Sequence, residues 1–203
     1  MDAKLQLSAE EMRLVTDPAW ILTKNSIIRK VVEMFGELSG EWRDIFRLEK
    51  MFTAELGSKA GAEPKISKGE QYKGLPWVML DYPRTFGKED VLAVRTMFWW
   101  GHCFSVTLHL KGRFLRSYLP VILANRGELE AAGFKPGTAE DEWEHEHTPG
   151  AWEAVTWEAG TGKAGTFDRP FLKLSVNIGF DKWNGAPKAL TAKFSVLAKV
   201  LVA

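Results

Sequence analysis

Apolar residues recur at helical spacings over the first quarter of the chain and predict helices there. Ser8-Ala-Glu-Glu11 has the form of a capping box, which predicts the start of a short helix. Asp17-Pro18 predicts a second start, with the aspartate as N-cap and the proline in the first turn. The stripe that follows comprises Ile21, Ile27, Ile28, Val31, Val32, Phe35 and Leu38. Ser39 is the predicted cap of a third helix ending near Gly57, with the stripe Trp42, Ile45, Phe46, Met51 and Phe52.

Beyond residue 71 the period of the apolar pattern changes from 3.6 to 2, which predicts strands. The first three candidates are 75–82, 91–99 and 103–110, and they form an antiparallel meander. A helix at 114–129, bent at Pro120, and a turn at 133–137 are expected next. Further strands are predicted around 142–148, 151–157 and 171–179, and an apolar helix at 186–202 closes the chain.

This order of elements predicts an α+β fold. We expect N-terminal helices, an antiparallel sheet of about five or six strands flanked by helices, and a C-terminal helix. Residues 58–71 replace the apolar periodicity with Gly, Ser, Lys and Ala, and so predict a linker. The expected organisation is a helical segment, residues 1–57, packed on a sheet domain, residues 72–203, within one compact domain.

Composition narrows the classes of function. Nine Trp and twelve Phe among 203 residues supply large buried areas and indicate packing first. The net charge of +1 provides no field to attract nucleic acid or an anionic membrane. The single cysteine, Cys103, excludes an internal disulfide and fits a reducing compartment. Because the sequence shows no secretory signal and no apolar span, we expect a cytoplasmic protein with neither a nucleic-acid nor a membrane partner.

The most informative pattern lies in the second and third predicted strands. If residues 100–102 form a three-residue hairpin loop, one face of the hairpin is mixed and the other is apolar. The mixed face carries Arg95, Met97, Trp99, Cys103, Ser105, Thr107 and His109, and the apolar face carries Val94, Phe98, Phe104, Val106 and Leu108. A guanidinium, hydroxyls, an imidazole and an indole together are typical of a pocket for a small anion. The candidate ligand-binding residues are Arg95, Trp99, Thr107 and His109. In the alternative interpretation, these groups are satisfied by backbone or water beneath a covering element.

A second pattern, His145-Glu-His147, lies in a run of strict alternation. On a strand both imidazoles would point to one face, where two histidines can ligate zinc, iron or manganese. A third ligand is required, from His102, His109 or a nearby carboxylate. An exposed acidic strand with histidines facing solvent explains the same pattern, so no cofactor is firmly predicted beyond this possible divalent metal.

Three stretches carry a resemblance to known proteins. They are the run from Pro64 to Arg84 containing Gly-Leu-Pro-Trp-Val-Met-Leu-Asp-Tyr-Pro-Arg, then Arg95-Thr-Met-Phe-Trp-Trp-Gly101, and Thr107-Leu-His-Leu110. In these motifs the chain resembles a group of uncharacterised bacterial proteins of about this length. The resemblance implies a bacterial cytoplasmic origin and implies no activity, cofactor or site residues.

Three hypotheses of function follow. The first is a small-ligand or partner-binding module with its pocket on the antiparallel sheet, taking a small anionic ligand. The second is a metalloprotein, or a metal-dependent hydrolase, that uses His145 and His147. The third is a structural or assembly protein that forms a homodimer through its N-terminal helices. Whether the protein is an enzyme depends on which of these holds.

Overall fold

The structure is a computed structural model that describes residues 5–48, 63–145, 157, 167 and 169–202. Its helices are α1 (Ala9–Thr16), α2 (Ala19–Leu48), α3 (Arg113–Ala124), α4 (Arg126–Ala131), a 3₁₀ helix (Phe180–Gly185) and α5 (Ala186–Val202). Its strands are β1 (Lys65–Tyr72), β2 (Leu75–Phe86), β3 (Val91–Trp99), β4 (Cys103–Lys111), β5 (Lys135–Pro136) and β6 (Phe171–Ile178). The strands form one antiparallel sheet in the order β1-β2-β3-β4-β6-β5. The predicted α+β class is therefore confirmed.

Local capping signals set the start of both N-terminal helices. The Ser8 hydroxyl accepts a hydrogen bond from the Glu11 amide at 3.2 Å, and the Glu11 carboxylate accepts one from the Ser8 amide at 2.7 Å. This reciprocal pair is the predicted capping box. Asp17 accepts a hydrogen bond from the Ala19 amide at 2.9 Å, which satisfies a free donor at the start of α2.

The predicted break at Ser39 is wrong, because α2 runs through it as one helix of 30 residues. The Ser39 hydroxyl donates to the Gly36 carbonyl at 2.7 Å, so it bonds back into the helix instead of capping a new one. The buried stripe of α2 also continues across the position. It comprises Ile28, Val31, Phe35, Leu38 and Trp42.

The predicted linker is also wrong from Lys65 onward, because Lys65–Tyr72 is the edge strand β1. An edge strand pairs on one side only, and lysines on such a strand discourage pairing with other chains, so its composition resembles that of a loop. Gly69 has a specific reason to lack a side chain. A Cβ there would lie 2.7 Å from the indole nitrogen of Trp77 on the neighbouring strand.

Two further boundaries differ from expectation. The helical region at 114–129 divides at Asn125 and not at Pro120, which lies inside α3. The Asn125 side chain donates to the Val121 carbonyl at 2.8 Å and so satisfies the end of α3. The strand predicted at 142–148 is wrong over its described part, since residues 142–145 form turn and coil. The remainder of that strand, and all of 151–156 of the next, lie outside the described residues.

The main core lies between one face of the sheet, here called the helix face, and the helices α2, α3 and α5. Its sheet side includes Val94, Phe98, Phe104, Val106 and Leu108, as the hairpin pattern predicted. The Trp42 ring of α2 stacks on the Phe194 ring of α5, with 4.0 Å between centroids and 8° between planes. The indole N–H of Trp42 donates to the Thr191 hydroxyl at 3.1 Å. Among the described helices, none has the length and apolarity needed to cross a bilayer.

Trp42→Ala should lower the free energy of unfolding by about 3–5 kcal/mol, because it empties a fully buried site between two helices. Urea titration followed by circular dichroism measures the change. Leu123→Ala on the exposed side of α3 is the control, with an expected change within about 0.5 kcal/mol. Equal losses in the two variants would contradict a core organised around the contact between α2 and α5.

Candidate functional site

The β3–β4 hairpin has the predicted three-residue loop. Trp99 pairs with Cys103, and residues 100–102 connect them. The His102 amide donates to the Trp99 carbonyl at 3.1 Å, and Gly101 has a φ of +75°, which glycine adopts without strain. The division into an apolar helix face and an opposite, mixed face is therefore confirmed. We call that second surface of the sheet the mixed face.

A continuous row of polar residues crosses the mixed face. Paired residues of adjacent antiparallel strands point to the same side of the sheet. The pairs Asp81–Arg95, Arg95–Thr107, Thr107–Ser175 and Ser175–Lys135 join five strands in one line. Two of the predicted site residues, Arg95 and Thr107, are thus cross-strand neighbours in the centre of the sheet.

The rows on either side of this line differ in character. On one side His109 pairs with Lys173, so an imidazole and an amine lie opposite each other. On the other side the row Met79, Met97, Ser105 and Asn177 is followed by the row Trp77, Trp99 and Cys103. The mixed face consequently has a charged half and a half dominated by methionine and tryptophan.

A covering segment, residues 141–145, lies over the charged half and contacts it through polar groups. Glu142 forms an ion pair with Lys111 at 2.7 Å, and its other carboxylate oxygen lies 3.2 Å from His109 Nε2. The amide of His145 donates to the Tyr72 hydroxyl at 2.7 Å. The two histidine-bearing stretches that are distant in sequence, the hairpin and residue 145, are thus brought together.

Arg95 is held by side chains of the protein itself. Its Nε donates to Asp81 Oδ1 at 2.7 Å, and its Nη2 lies 3.4 Å from Oδ2. The guanidinium therefore binds the carboxylate in a bidentate manner. Its Nη1 lies 3.2 Å from His145 Nε2. Rings of Phe86 and Trp143 lie 5.1 and 5.7 Å from the guanidinium carbon.

Asp81 is a member of the site that sequence reasoning missed. It is 4% exposed, although it lies within the apolar strand run Val78 to Tyr82. The signal was present, because a charge inside an apolar strand needs a partner of opposite sign when it is buried. The sequence does not show, however, that Asp81 lies opposite Arg95 on the same side of the sheet, because this depends on the register of β2 against β3.

Thr107 and Trp99, two further predicted site residues, contact neighbours on the mixed face. The Thr107 hydroxyl lies 2.7 Å from that of Ser175, so each satisfies the other. The Trp99 ring stacks on His102, with 3.6 Å between centroids, and meets Tyr72 edge-on at 5.2 Å. Trp99 is 4% exposed, and its indole N–H has no hydrogen-bond partner among the described residues. An unsatisfied buried donor of this kind is rare.

His109 is fully buried, and burial lowers the pKa of its imidazole to about 4. The positive charges of Lys173 and Arg95 add to this effect, whereas Glu142 opposes it. The imidazole is therefore neutral at physiological pH. Its Nε2 lies within ion-pair distance of Glu142 but is not aligned for a hydrogen bond, and its Nδ1 has no partner in the described part of the chain.

Lys173 is the second residue that sequence reasoning missed. It is only 5% exposed, between Leu172 and Leu174 on the apolar strand β6. Its ammonium donates to the backbone carbonyl of Glu144. Burial lowers the pKa of Lys173 to about 8, helped by the positive charge of Arg95 and opposed by Asp141, Glu144 and Glu142.

The carboxylates that contact the mixed face are each paired with a different cation. Asp81 pairs with Arg95, as described, and Glu142 pairs with Lys111. Glu144 pairs with Lys73 at 2.8 Å. Among the described residues no carboxylate lies within ion-pair distance of Lys173, which leaves its ammonium as a buried cation without a carboxylate partner.

The metal hypothesis stays a prediction. His147 lies outside the described residues, and the described residues contain no group of three metal-ligating side chains. The strand on which the shared orientation of His145 and His147 depended is absent at 142–145. The Nε2 atom of His145 faces the Arg95 guanidinium, while His102 stacks on Trp99 away from it.

The lowered pKa of His109 predicts that stability falls as the pH drops from about 6.5 to 4. In this window the unfolded chain binds a proton that the buried imidazole does not, so the free energy of unfolding rises with pH. At pH 4 this effect of His109 lowers the free energy of unfolding by about 3 kcal/mol relative to its value above pH 6.5. His109→Gln should flatten the slope measured by urea unfolding at several pH values.

His102→Gln, which alters an exposed histidine, is the matched control. Carboxylates also titrate in this range, so the informative quantity is the difference between each variant and the unaltered protein. Identical slopes for all three proteins would contradict a neutral, buried His109.

Comparison with known proteins adds no further assignment: no protein-family model matches the chain, and no curated protein or solved structure matches it significantly.

Proposed function

We propose that the protein binds a small anionic ligand, carrying a carboxylate or phosphate group, on the charged half of the mixed face. The single observation that carries this proposal is Lys173, a buried ammonium without a carboxylate partner in the described part of the chain. Lysine is almost never buried to this extent unless it is paired. A bound anion would supply the missing charge.

Other groups around Lys173 suit the same ligand. Arg95, on the adjacent central row, is a second and partly buried cation that is paired with Asp81, and the Thr107 and Ser175 hydroxyls, which bond to each other, lie beside it. Removing such groups from water strengthens their interaction with a bound anion. Two cations with adjacent hydroxyls are a common arrangement for carboxylate or phosphate recognition.

Displacement of the covering segment would give this site a route of entry. The contacts that hold residues 141–145 to the sheet include the Glu142–Lys111 and Glu144–Lys73 ion pairs and the Tyr72 hydrogen bond. The Glu144–Lys73 pair is the more exposed of the two, with side chains 33% and 40% exposed, and such a pair near the surface contributes about 1 kcal/mol or less to stability. A ligand anion that takes over Lys173 would replace the hydrogen bond to the Glu144 carbonyl.

The test is thermal stabilisation by sodium phosphate, acetate or benzoate, each compared with sodium chloride at equal ionic strength. At least one anion should raise the melting temperature saturably, since a ligand at 100 times its Kd stabilises by about 2.7 kcal/mol. Lys173→Met and Arg95→Ala should each abolish the effect. Lys188→Met, on exposed α5 surface, should retain it.

The stability of Lys173→Met without added anion is a second test. Without added anion it should match or exceed the stability of the unaltered protein at pH 7, because it removes an uncompensated buried charge. That result would show that loss of anion binding in the variant is not a failure to fold. Equal stabilisation of the unaltered protein and Lys173→Met by every anion would contradict the proposal.

A second candidate is self-assembly through an N-terminal surface, residues 5–22. α1 has no buried residue, and a helix of 8 residues is marginal without packing. The surface exposes a run of large apolar side chains: Leu5, Leu7, Met12, Val15, Trp20, Ile21 and Leu22. Single exposed apolar side chains are ordinary, but seven within 18 residues are a dense local concentration, which supports an interaction site.

The occupant that we propose for this surface is a second copy of the chain. An anionic membrane is disfavoured, because the surface carries three acidic residues, Glu10, Glu11 and Asp17, against Arg13 as its one basic residue. Its 18 residues, counted from 5 to 22, approach the roughly 20–30 residues a side of a standard interface. A two-fold symmetric dimer would cover both copies at once.

A Leu7→Glu, Val15→Glu double variant should shift a dimer to a monomer in sedimentation equilibrium without changing the circular dichroism spectrum. The control is Leu123→Glu, which alters another exposed leucine, on α3, and should remain dimeric. An unaltered protein that is monomeric up to high micromolar concentration would overturn this second candidate and leave anion binding untouched.

A further inference from the structure

Lys173 differs from the other lysines near the mixed face in the surroundings of its amine. Lys111 and Lys73 are 24% and 40% exposed, and each has a carboxylate within 2.8 Å. Lys173 is buried, has no such carboxylate among the described residues, and is acted on by the positive charge of Arg95. These three conditions favour the neutral, nucleophilic amine.

The unprotonated fraction of Lys173 at neutral pH is large enough for nucleophilic attack. Since the pKa of Lys173 is about 8, about a tenth of it is unprotonated at pH 7, against less than one part in a thousand for an ordinary lysine. Cys103, on the same face, is no competitor, because burial raises the pKa of its thiol to about 11. Lys173 is therefore the side chain of this face best suited to attack an electrophile.

The surroundings of Lys173 indicate which electrophile fits. The residue is on β6, between β4 and β5, so its backbone is fixed by hydrogen bonds on both sides. The neutral imidazole of His109 lies opposite it, with Nδ1 unpartnered within the described residues. Arg95 lies one row away, and its Nη1, which faces His145 and not Asp81, is the donor that a carboxylate attached to the electrophile would take.

We propose that Lys173 forms an imine with the carbonyl group of an oxo acid bound on the mixed face. This inference rests on the proposed function and names the chemical class of its ligand. A neutral amine beside a fixed positive charge is the usual device for such chemistry in proteins.

The reaction needs no oxidant, reductant or further reactant. The amine lone pair attacks the carbonyl carbon, a C–N bond forms, and the C=O π electrons move to oxygen. One proton passes from nitrogen to that oxygen and gives a carbinolamine. The C–O bond then breaks, the second nitrogen proton leaves with the oxygen as water, and a C=N bond remains. The neutral His109 is placed to accept and return the protons in these transfers.

The experiment treats the full chain with pyruvate and sodium cyanoborohydride at pH 7.5 and maps the reduced adduct by peptide mass spectrometry. We expect one adduct per chain, at Lys173, formed at least ten times faster than at any exposed lysine. Lys173→Arg should lose this adduct, and Lys135→Arg, which alters another lysine of the same face, should retain it. Acetone, which has the carbonyl but no carboxylate, should react more slowly at Lys173 than pyruvate.

Adducts spread evenly over exposed lysines, with none preferred at Lys173, would overturn the inference. Equal rates with acetone and pyruvate would also overturn it, because the oxo acid would then not be recognised by its carboxylate. Acetate lacks an electrophilic carbonyl, so stabilisation by acetate tests anion binding alone. Stabilisation without an adduct would leave the proposed function standing and reject the imine, whereas loss of both would reject both.

Discussion

The register of β3 against β4 is the constraint on which both faces of this sheet depend. The loop of residues 100–102 sets Trp99 opposite Cys103, and every later pair follows from it. A slip of one residue would turn Phe98 and Phe104 away from α2 and bring Arg95 into the apolar core. Because the helix face and the mixed face are both largely buried, the sequence tolerates no alternative pairing.

The mixed face shows why burial of charge is informative. The Asp81–Arg95 pair satisfies itself, and its contribution to stability is modest because both groups lose their hydration. Lys173 and His109 cannot be explained in that way. One is an amine without a carboxylate partner in the described residues, and the other is an imidazole with an unsatisfied nitrogen. Polar groups that are costly to bury and lack their usual partners are commonly found where a protein binds or transforms a small molecule.

Local signals explain how far the fold could be predicted. The Ser8 capping box, the period-2 runs of β2, β3 and β4, and the apolar stripe of α5 all depend on near neighbours along the chain. The break expected at Ser39 and the linker expected at 65–71 were wrong because near neighbours along the chain do not distinguish the alternatives at these positions. A serine that caps and a serine that bonds back into its own helix have the same sequence, and an exposed edge strand has the composition of a loop.

The sequence by itself determined the fold class, the hairpin and the pair Arg95 and Thr107 on one face, because the alternation of side chains along a strand is a local property. Only the tertiary structure decided that Asp81, Lys173 and the covering segment meet there. Strand order and the return of residues 141–145 across the sheet join positions separated by up to about a third of the chain. Such contacts arise from the packing of the whole sheet, and for this reason no window of sequence contains them.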